Sequence, residues 1–140
     1  MTNRGRRRVL AAATAAGSFV LWRRWRPFRV AVRGESMEPV LRPDDWVIAV
    51  RPGPIRRGVI VVFEHPERPG FELIKRVTAV PGDSLGALTL GADRYWVVGE
   101  RPQASTDSRW FGPISRAAIR GVAVLRYWPR RRIGWIRSGR

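Results

Sequence analysis

The chain contains no cysteine, which excludes disulfides, thiolate catalysis and cysteine-ligated zinc. It has one histidine, His65, so any serine–histidine catalytic pair would have to use it. His65 sits in FEHPERPG, a turn-forming stretch where an exposed polar residue needs no function. No group of His, Asp and Glu has metal-ligand spacing, and no glycine-rich phosphate loop precedes a helix. Neither a metal nor a cofactor is expected. Lysine is as scarce as histidine: of 27 basic residues, 26 are arginine and one, Lys75, is lysine. Arginine keeps its proton under protein conditions, whereas a desolvated lysine can lose it. On composition alone, Lys75 is as readily a chance survivor as a required neutral amine.

Acidic residues are missing from both ends. Residues 1–29 carry eight arginines and residues 130–140 carry five, with no Asp or Glu in either segment. All eleven acids lie between them, against fourteen bases, so most of the formal net charge of +16 belongs to the ends. The total charge invites a nucleic-acid reading, but the folded body carries little of it. Arginine-rich ends suit an anionic membrane surface at least as well. Lipid is therefore an expected partner and nucleic acid is not.

One apolar run stands out, VLAAATAAGSFVLW (Val9–Trp22), fourteen residues long and flanked by Arg8, Arg23 and Arg24. As a helix at ~1.5 Å per residue it would reach roughly 21 Å, short of the ~30 Å hydrocarbon core. Snorkelling arginines, with Trp22 and Trp25 among the headgroups, would make up the difference. A cleaved secretory signal fits less well, because no A-x-A site follows the run and RRWRPFR is a poor cleavage region. The expectation is an uncleaved N-terminal anchor.

From Val30 onward, short β-branched runs alternate with Gly/Pro punctuation. FRVAVRG, DWVIAV, GVIVVFEH, FELIKRVTAV, LTL, RYWVVGE and IRGVAVLRYWP read as strands, and only SRAAI reads as a helical turn. With no βαβ alternation, the pattern predicts a mainly β fold, a coiled β-sandwich or barrel, preceded by the short apolar helix. Three segments follow: an arginine-flanked anchor over 1–29, a β domain over 30–129 and a basic tail over 130–140.

Within that domain VRGESMEPVL (Val32–Leu41) places Ser36 among turn residues, Gly34 and Pro39 included. This is either an ordinary turn or the presentation of a nucleophile. Ser36 and Lys75 lie 39 residues apart, so only the fold can unite them. The blocks SMEPVL, GVIVVF, IKRVTAVPGD and GERPQASTDSR occur in that order with compact spacing. Together they resemble the type I signal peptidases, membrane-anchored Ser/Lys proteases, from about Val30 to Pro129.

The resemblance implies Ser36 as nucleophile and Lys75 as general base. A serine hydroxyl needs an adjacent base to become an effective nucleophile, and a lysine must fall from ~10.4 toward ~7–8 to serve as one. Burial is the natural cause. In a strand, Leu73, Lys75 and Val77 share one face of FELIKRV and Arg76 takes the other. The resemblance further implies that Ser105 hydrogen-bonds and orients Lys75, and that Asp107 pairs with Arg76 or Arg109 as scaffold. Gly34, Met37 and Pro39 would belong to the substrate groove and oxyanion loop, although Met37 is nearly as well explained as core.

The sequence departs from the family at Glu100 and Arg101, which replace Asp-Asn after Gly99, and at Val59, which stands where Asp follows Gly58. Gly34 occupies a position where some members carry an oxyanion hydroxyl. Reticulum members of the family use His as base, but here the matching residue is Lys75. The implied function is removal of N-terminal signal or leader peptides from precursor proteins, with the catalytic domain on the extracytoplasmic side. Small residues are implied at the −1 and −3 positions of the substrate. A specialised member maturing one client, such as a nickel superoxide dismutase precursor, is an alternative. A non-enzymatic basic protein binding membrane or nucleic acid is a remoter one.

Overall fold

A computed structural model of the chain describes residues 25–139; the apolar run 9–22 lies outside them. The main sheet begins with β1 (Phe28–Ala31), β2 (Trp46–Val50), β3 (Ile60–Glu64) and β4 (Glu72–Ala79). A small hairpin follows, β5 (Ser84–Leu85) and β6 (Leu88–Thr89), and then β7 (Arg94–Val98), β8 (Ile114–Ser115), β9 (Ile119–Trp128) and β10 (Gly134–Trp135). Eight strands form one antiparallel sheet in the order β1-β2-β9-β3-β4-β7-β8, with β10 on β9. Each of the seven runs read as strands contains one, and SRAAI carries the 3-10 turn Arg116–Ala118.

The sheet is mainly β as expected, but it does not close into a barrel, since its terminal strands β1 and β8 are not paired with each other. The long strand β9 accounts for the shape. Its first half pairs with β3 on one side, its second half pairs with β10 there, and β2 runs along the other side. Register shifts interrupt the β2–β9, β3–β9 and β4–β7 ladders, and such bulges bend and twist strands. Both faces carry core. Val62 and Ile74 pack with Val32, Met37 and Leu41 on one side, and Val61 and Val77 pack with Phe63, Tyr95 and Val97 on the other. Among the described residues no long helix covers either face.

The C-terminal segment belongs to this folded unit. Ile136 packs against the first cluster, and the Gly139 N–H donates to the Gly58 carbonyl at 3.0 Å. Arg132 reaches the buried carboxylate of Asp45 at 2.8 Å, and Arg126 lies 3.6 Å from it. An isolated buried carboxylate would be costly, and these two guanidiniums and the Arg42 N–H (2.9 Å) supply its partners.

Candidate active site

Two loops and one strand meet beside the second core cluster. Gly34, with φ of +75°, turns the chain out of β1 in a region that L side chains disfavour. Ser36 follows in a tight turn held by Glu38 N–H to Glu35 carbonyl (3.0 Å) and Leu41 N–H to Met37 carbonyl (2.9 Å). The fully buried Met37 side chain pins this turn to the core.

Lys75 comes from the middle of β4, opposite Val61 on β3, and is only 3% exposed. Leu73 and Val77 flank it along its own strand and belong to the second cluster, as the alternation of the strand predicts. Its Nζ lies 2.6 Å from Ser36 Oγ. Burial pushes the Lys75 amine down to about 8, against the attraction of Asp107, which raises it.

The third part is the loop after β7. Gly99 has no room for a side chain, because a Cβ there would run into Ser105 Oγ and come 2.7 Å from the Ser36 carbonyl oxygen. The Arg101 N–H donates to that same carbonyl at 3.0 Å, and the Arg101 guanidinium reaches Glu35 (2.6 Å) and Glu38 (3.0 Å). Arg101 therefore grips the serine turn by backbone and side chain together. Glu100 is paired with Arg76, whose guanidinium also donates to the carbonyls of Gly58 and, at 3.4 Å, Arg137. Glu100 and Arg101, the departures from the family within this loop, thus both make ion pairs that fix it.

Asp107 is fully buried and caps the short helix Ser108–Phe111. Its carboxylate accepts from Gly99 N–H (2.9 Å), Ser105 Oγ (2.6 Å) and the Arg109 guanidinium (2.6 and 2.9 Å). Burial alone would raise this carboxyl, but the hydrogen bonds from Arg109, Gly99 and Ser105 outweigh it and hold the group well below the usual range. The next residue, Ser108, accepts from the buried Val97 N–H at 2.9 Å and ties the helix to β7.

Several placements differ from the sequence reading. The Ser105 hydroxyl goes to Asp107, and among the described residues no hydrogen bond joins it to Lys75. The nearby ionised carboxylate is the stronger acceptor. Of the two candidate partners for Asp107, the structure selects Arg109; Arg76 is taken by Glu100. Met37 is core rather than groove, being wholly inaccessible. Pro39 is exposed and follows a cis peptide bond. His65 is buried rather than an exposed turn residue: the rings of Phe111 and Phe71 lie 5.2 and 6.2 Å from it, and its Nδ1 accepts from Glu67 N–H. Sequence reasoning passed over Gly99, Ser108 and the Arg101 clamp. Only the altered GER motif signalled the last of these.

Ser36 and Lys75 lie where two depressions of about 290 and 320 Å³ meet. One is bounded by His65, Ala104 and Thr106, the other by Val30, Ala31 and Ile74, and Phe71 and Leu73 line both. A larger depression of about 440 Å³, between Trp25 and Gly53, contains neither a nucleophile nor an acid. The arrangement provides a hydroxyl, a proton acceptor of lowered basicity and an open trough for an extended chain.

The family model described as "Signal peptidase, peptidase S26" matches residues 5–87 and 84–128. The chain is 32% identical to mitochondrial inner membrane protease subunit 1 of Mus musculus, over 78% of this chain and 74% of that protein. It is also 32% identical to subunit 2 of the same protease of Saccharomyces cerevisiae, over 74% of this chain and 69% of that protein. Mitochondrial ATP-independent inner membrane protease subunit 1a of Arabidopsis thaliana is 34% identical, over 76% of this chain and 73% of that protein. By family model and by relatives alike, the chain belongs to the signal peptidase family, peptidase S26.

Proposed function

We propose that the protein is a membrane-bound serine endopeptidase that removes N-terminal signal or leader peptides from precursor proteins, using Ser36 as nucleophile and Lys75 as general base. The observation that carries this reading is the 2.6 Å approach of a buried lysine to a turn serine. With the amine neutral, the same separation lets Ser36 Oγ–H donate to Nζ. Oγ then attacks the scissile carbonyl, and Nζ takes the proton and returns it to the leaving amine. Water, deprotonated in turn by Lys75, releases the acyl group. Among the described residues the Ser36 N–H donates no hydrogen bond, which leaves it for the oxyanion; one such donor is worth about 3–4 kcal/mol. Ser105, Asp107 and Arg109 act through position, by fixing the loop that abuts both partners.

The membrane enters through two features. Residues 1–29 would carry the anchor, although among the described residues no helix is long and apolar enough to cross a bilayer. Trp46 and Trp128 are exposed cross-strand partners, and Trp135 of β10 and the preceding Ile133 are exposed as well, close to Arg130 and Arg131 in sequence. Tryptophan and arginine together suit the headgroup region. The test is cleavage, by full-length protein in detergent, of a precursor peptide with small residues at −1 and −3. Covalent labelling of Ser36 by an acylating probe should accompany it, and absence of both activities would overturn the reading.

A further inference from the structure

The two depressions that meet at the reacting pair are bordered by three arginines from three different segments. Arg29 of β1 lines one, Arg68 in the turn between β3 and β4 lines the other, and Arg33 lines both. All three side chains are exposed, and none makes an ion pair among the described residues. The acids along the same trough are engaged elsewhere: Glu35 is held by Arg101 at 2.6 Å and Glu72 by Arg120 at 3.3 Å. The lining of the trough is thus net positive, three arginines against two acids, of which Glu72 is paired with Arg120 and Glu35 shares the Arg101 guanidinium with Glu38. Apolar side chains line it as well, Phe71 and Leu73 in both depressions and Ile74 in one.

We propose that this cleft selects precursors carrying an acidic side chain on each side of the scissile bond, within about three residues of it, and that Arg29, Arg33 and Arg68 are the residues that make the selection. The inference rests on the peptidase reading for the identity of the occupant. An extended segment advances ~3.3 Å per residue with alternating side chains. Acids a few residues either side of the bond would therefore come within reach of long guanidinium side chains at the rims. Charge pairs at a rim act mainly through encounter and register, and each exposed pair contributes only a two- to fivefold effect, roughly. Selection comes from using more than one.

Binding decides the matter separately from catalysis. Full-length Ser36→Ala protein in detergent is titrated with fluorescent peptides of one sequence, bearing Asp on both sides of the bond, Asn at those places, or the same two Asp moved about eight residues away. The flanking-Asp peptide should bind about tenfold more tightly than the Asn peptide at low salt, and the ratio should shrink at 0.5 M salt, where the Debye length falls to a few ångströms, roughly. Arg33→Gln should cut that ratio two- to fivefold, roughly, and Arg29→Gln, Arg33→Gln and Arg68→Gln together should bring it close to one. Arg131→Gln removes an equal charge outside the trough and should leave the ratio intact. Equal affinity for the Asp and Asn peptides, equal tightening by the displaced Asp residues, or a preference that persists in the triple variant would each overturn the proposal. If acid-selective binding is found but wild-type protein cuts no peptide, the peptidase reading fails and the selectivity stands. Cleavage without acid preference fails only the selectivity.

Discussion

Lys75 Nζ and Ser36 Oγ stand 2.6 Å apart although 39 residues of chain separate them. The contact depends on β4 pairing with β3 in one register, with Lys75 facing Val61. A slip of one residue would turn Lys75 to the other face of the sheet and bring Arg76 toward the serine. Arginine cannot serve as a base at any accessible pH. Lys75→Arg and Ser36→Ala should therefore each lower kcat/KM for a precursor peptide by at least about a thousandfold, within the range of a lost base or nucleophile. Circular dichroism should show the fold retained. Near wild-type turnover in Lys75→Arg would exclude the proposed base.

Burying that lysine has a cost that can be measured. Its amine is lowered from 10.5 to about 8, so between those values the unfolded chain binds more protons than the folded one. Stability therefore rises with pH across that window, and below about pH 8 the penalty is present in full. The difference corresponds to about 3 kcal/mol. Lys75→Met, which fills the same space without a charge, should abolish activity yet raise stability at pH 7 by up to about 3 kcal/mol. Denaturant unfolding at pH 7 and pH 10 checks it: the gain should shrink at the higher pH, and a loss of stability at pH 7 would contradict the burial argument.

How much of this was legible beforehand divides along physical lines. The strands and the Ser36–Lys75 pair were, because alternation places Leu73, Lys75 and Val77 together and because motif blocks are local signals. The two-residue strands Ile114–Ser115 and Gly134–Trp135 are too short to show periodicity, and they exist because β7 and β9 offer them a ladder. Met37 and His65 were misplaced for a related reason. Burial of a turn residue is decided by which distant elements cover it, here the first core cluster for Met37 and the rings of Phe71 and Phe111 for His65. That the sheet stays open, with β1 and β8 not paired to each other, is likewise a long-range matter that no local pattern encodes.

Met37 offers a direct check on its corrected role. If it lined the groove, shortening it would change which peptides are cut. As a fully buried core residue it should instead cost about 2–5 kcal/mol on truncation to Ala, from lost transfer energy and the cavity left behind. Urea unfolding of Met37→Ala, beside kcat/KM ratios for peptides differing at −1, separates the two. Unchanged stability with altered peptide ratios would return it to the groove.

The Arg101 clamp holds the serine turn from outside through Glu35 and Glu38. Exposed ion pairs contribute little to stability, typically about 0.2–1 kcal/mol each, whereas small displacements of a nucleophile can cost about a hundredfold in rate. Arg101→Ala should therefore leave the melting temperature within a few degrees of wild type and reduce kcat more than it raises KM. Arg101→Lys, which keeps one charge and the backbone bond, should recover part of the rate. A variant that loses stability and rate in parallel would show the clamp to be scaffold only.

The acid limb of the pH–rate profile tests the base without altering any residue of the site. A lysine base works only when neutral, so kcat/KM should rise with pH along the free-enzyme ionisation of Lys75. Desolvation lowers that ionisation and the attraction of Asp107 partly restores it, which together set it at about 8. Asp107 stays ionised throughout the working range, because its hydrogen bonds from Arg109, Gly99 and Ser105 hold it well below the usual carboxylate values. It therefore contributes no second limb. Asp107→Asn removes the charge that favours the ammonium, so in any folded fraction of that variant the midpoint should move to lower pH, even as overall activity falls through the disturbed loop. The competing candidate is His65, which lines the same trough. The measurement is initial-rate cleavage of a short peptide in detergent from pH 5 to 10, for wild type and His65→Gln. A midpoint near 8 in both proteins assigns the base to Lys75, and an acid limb that vanishes in His65→Gln transfers it to the histidine.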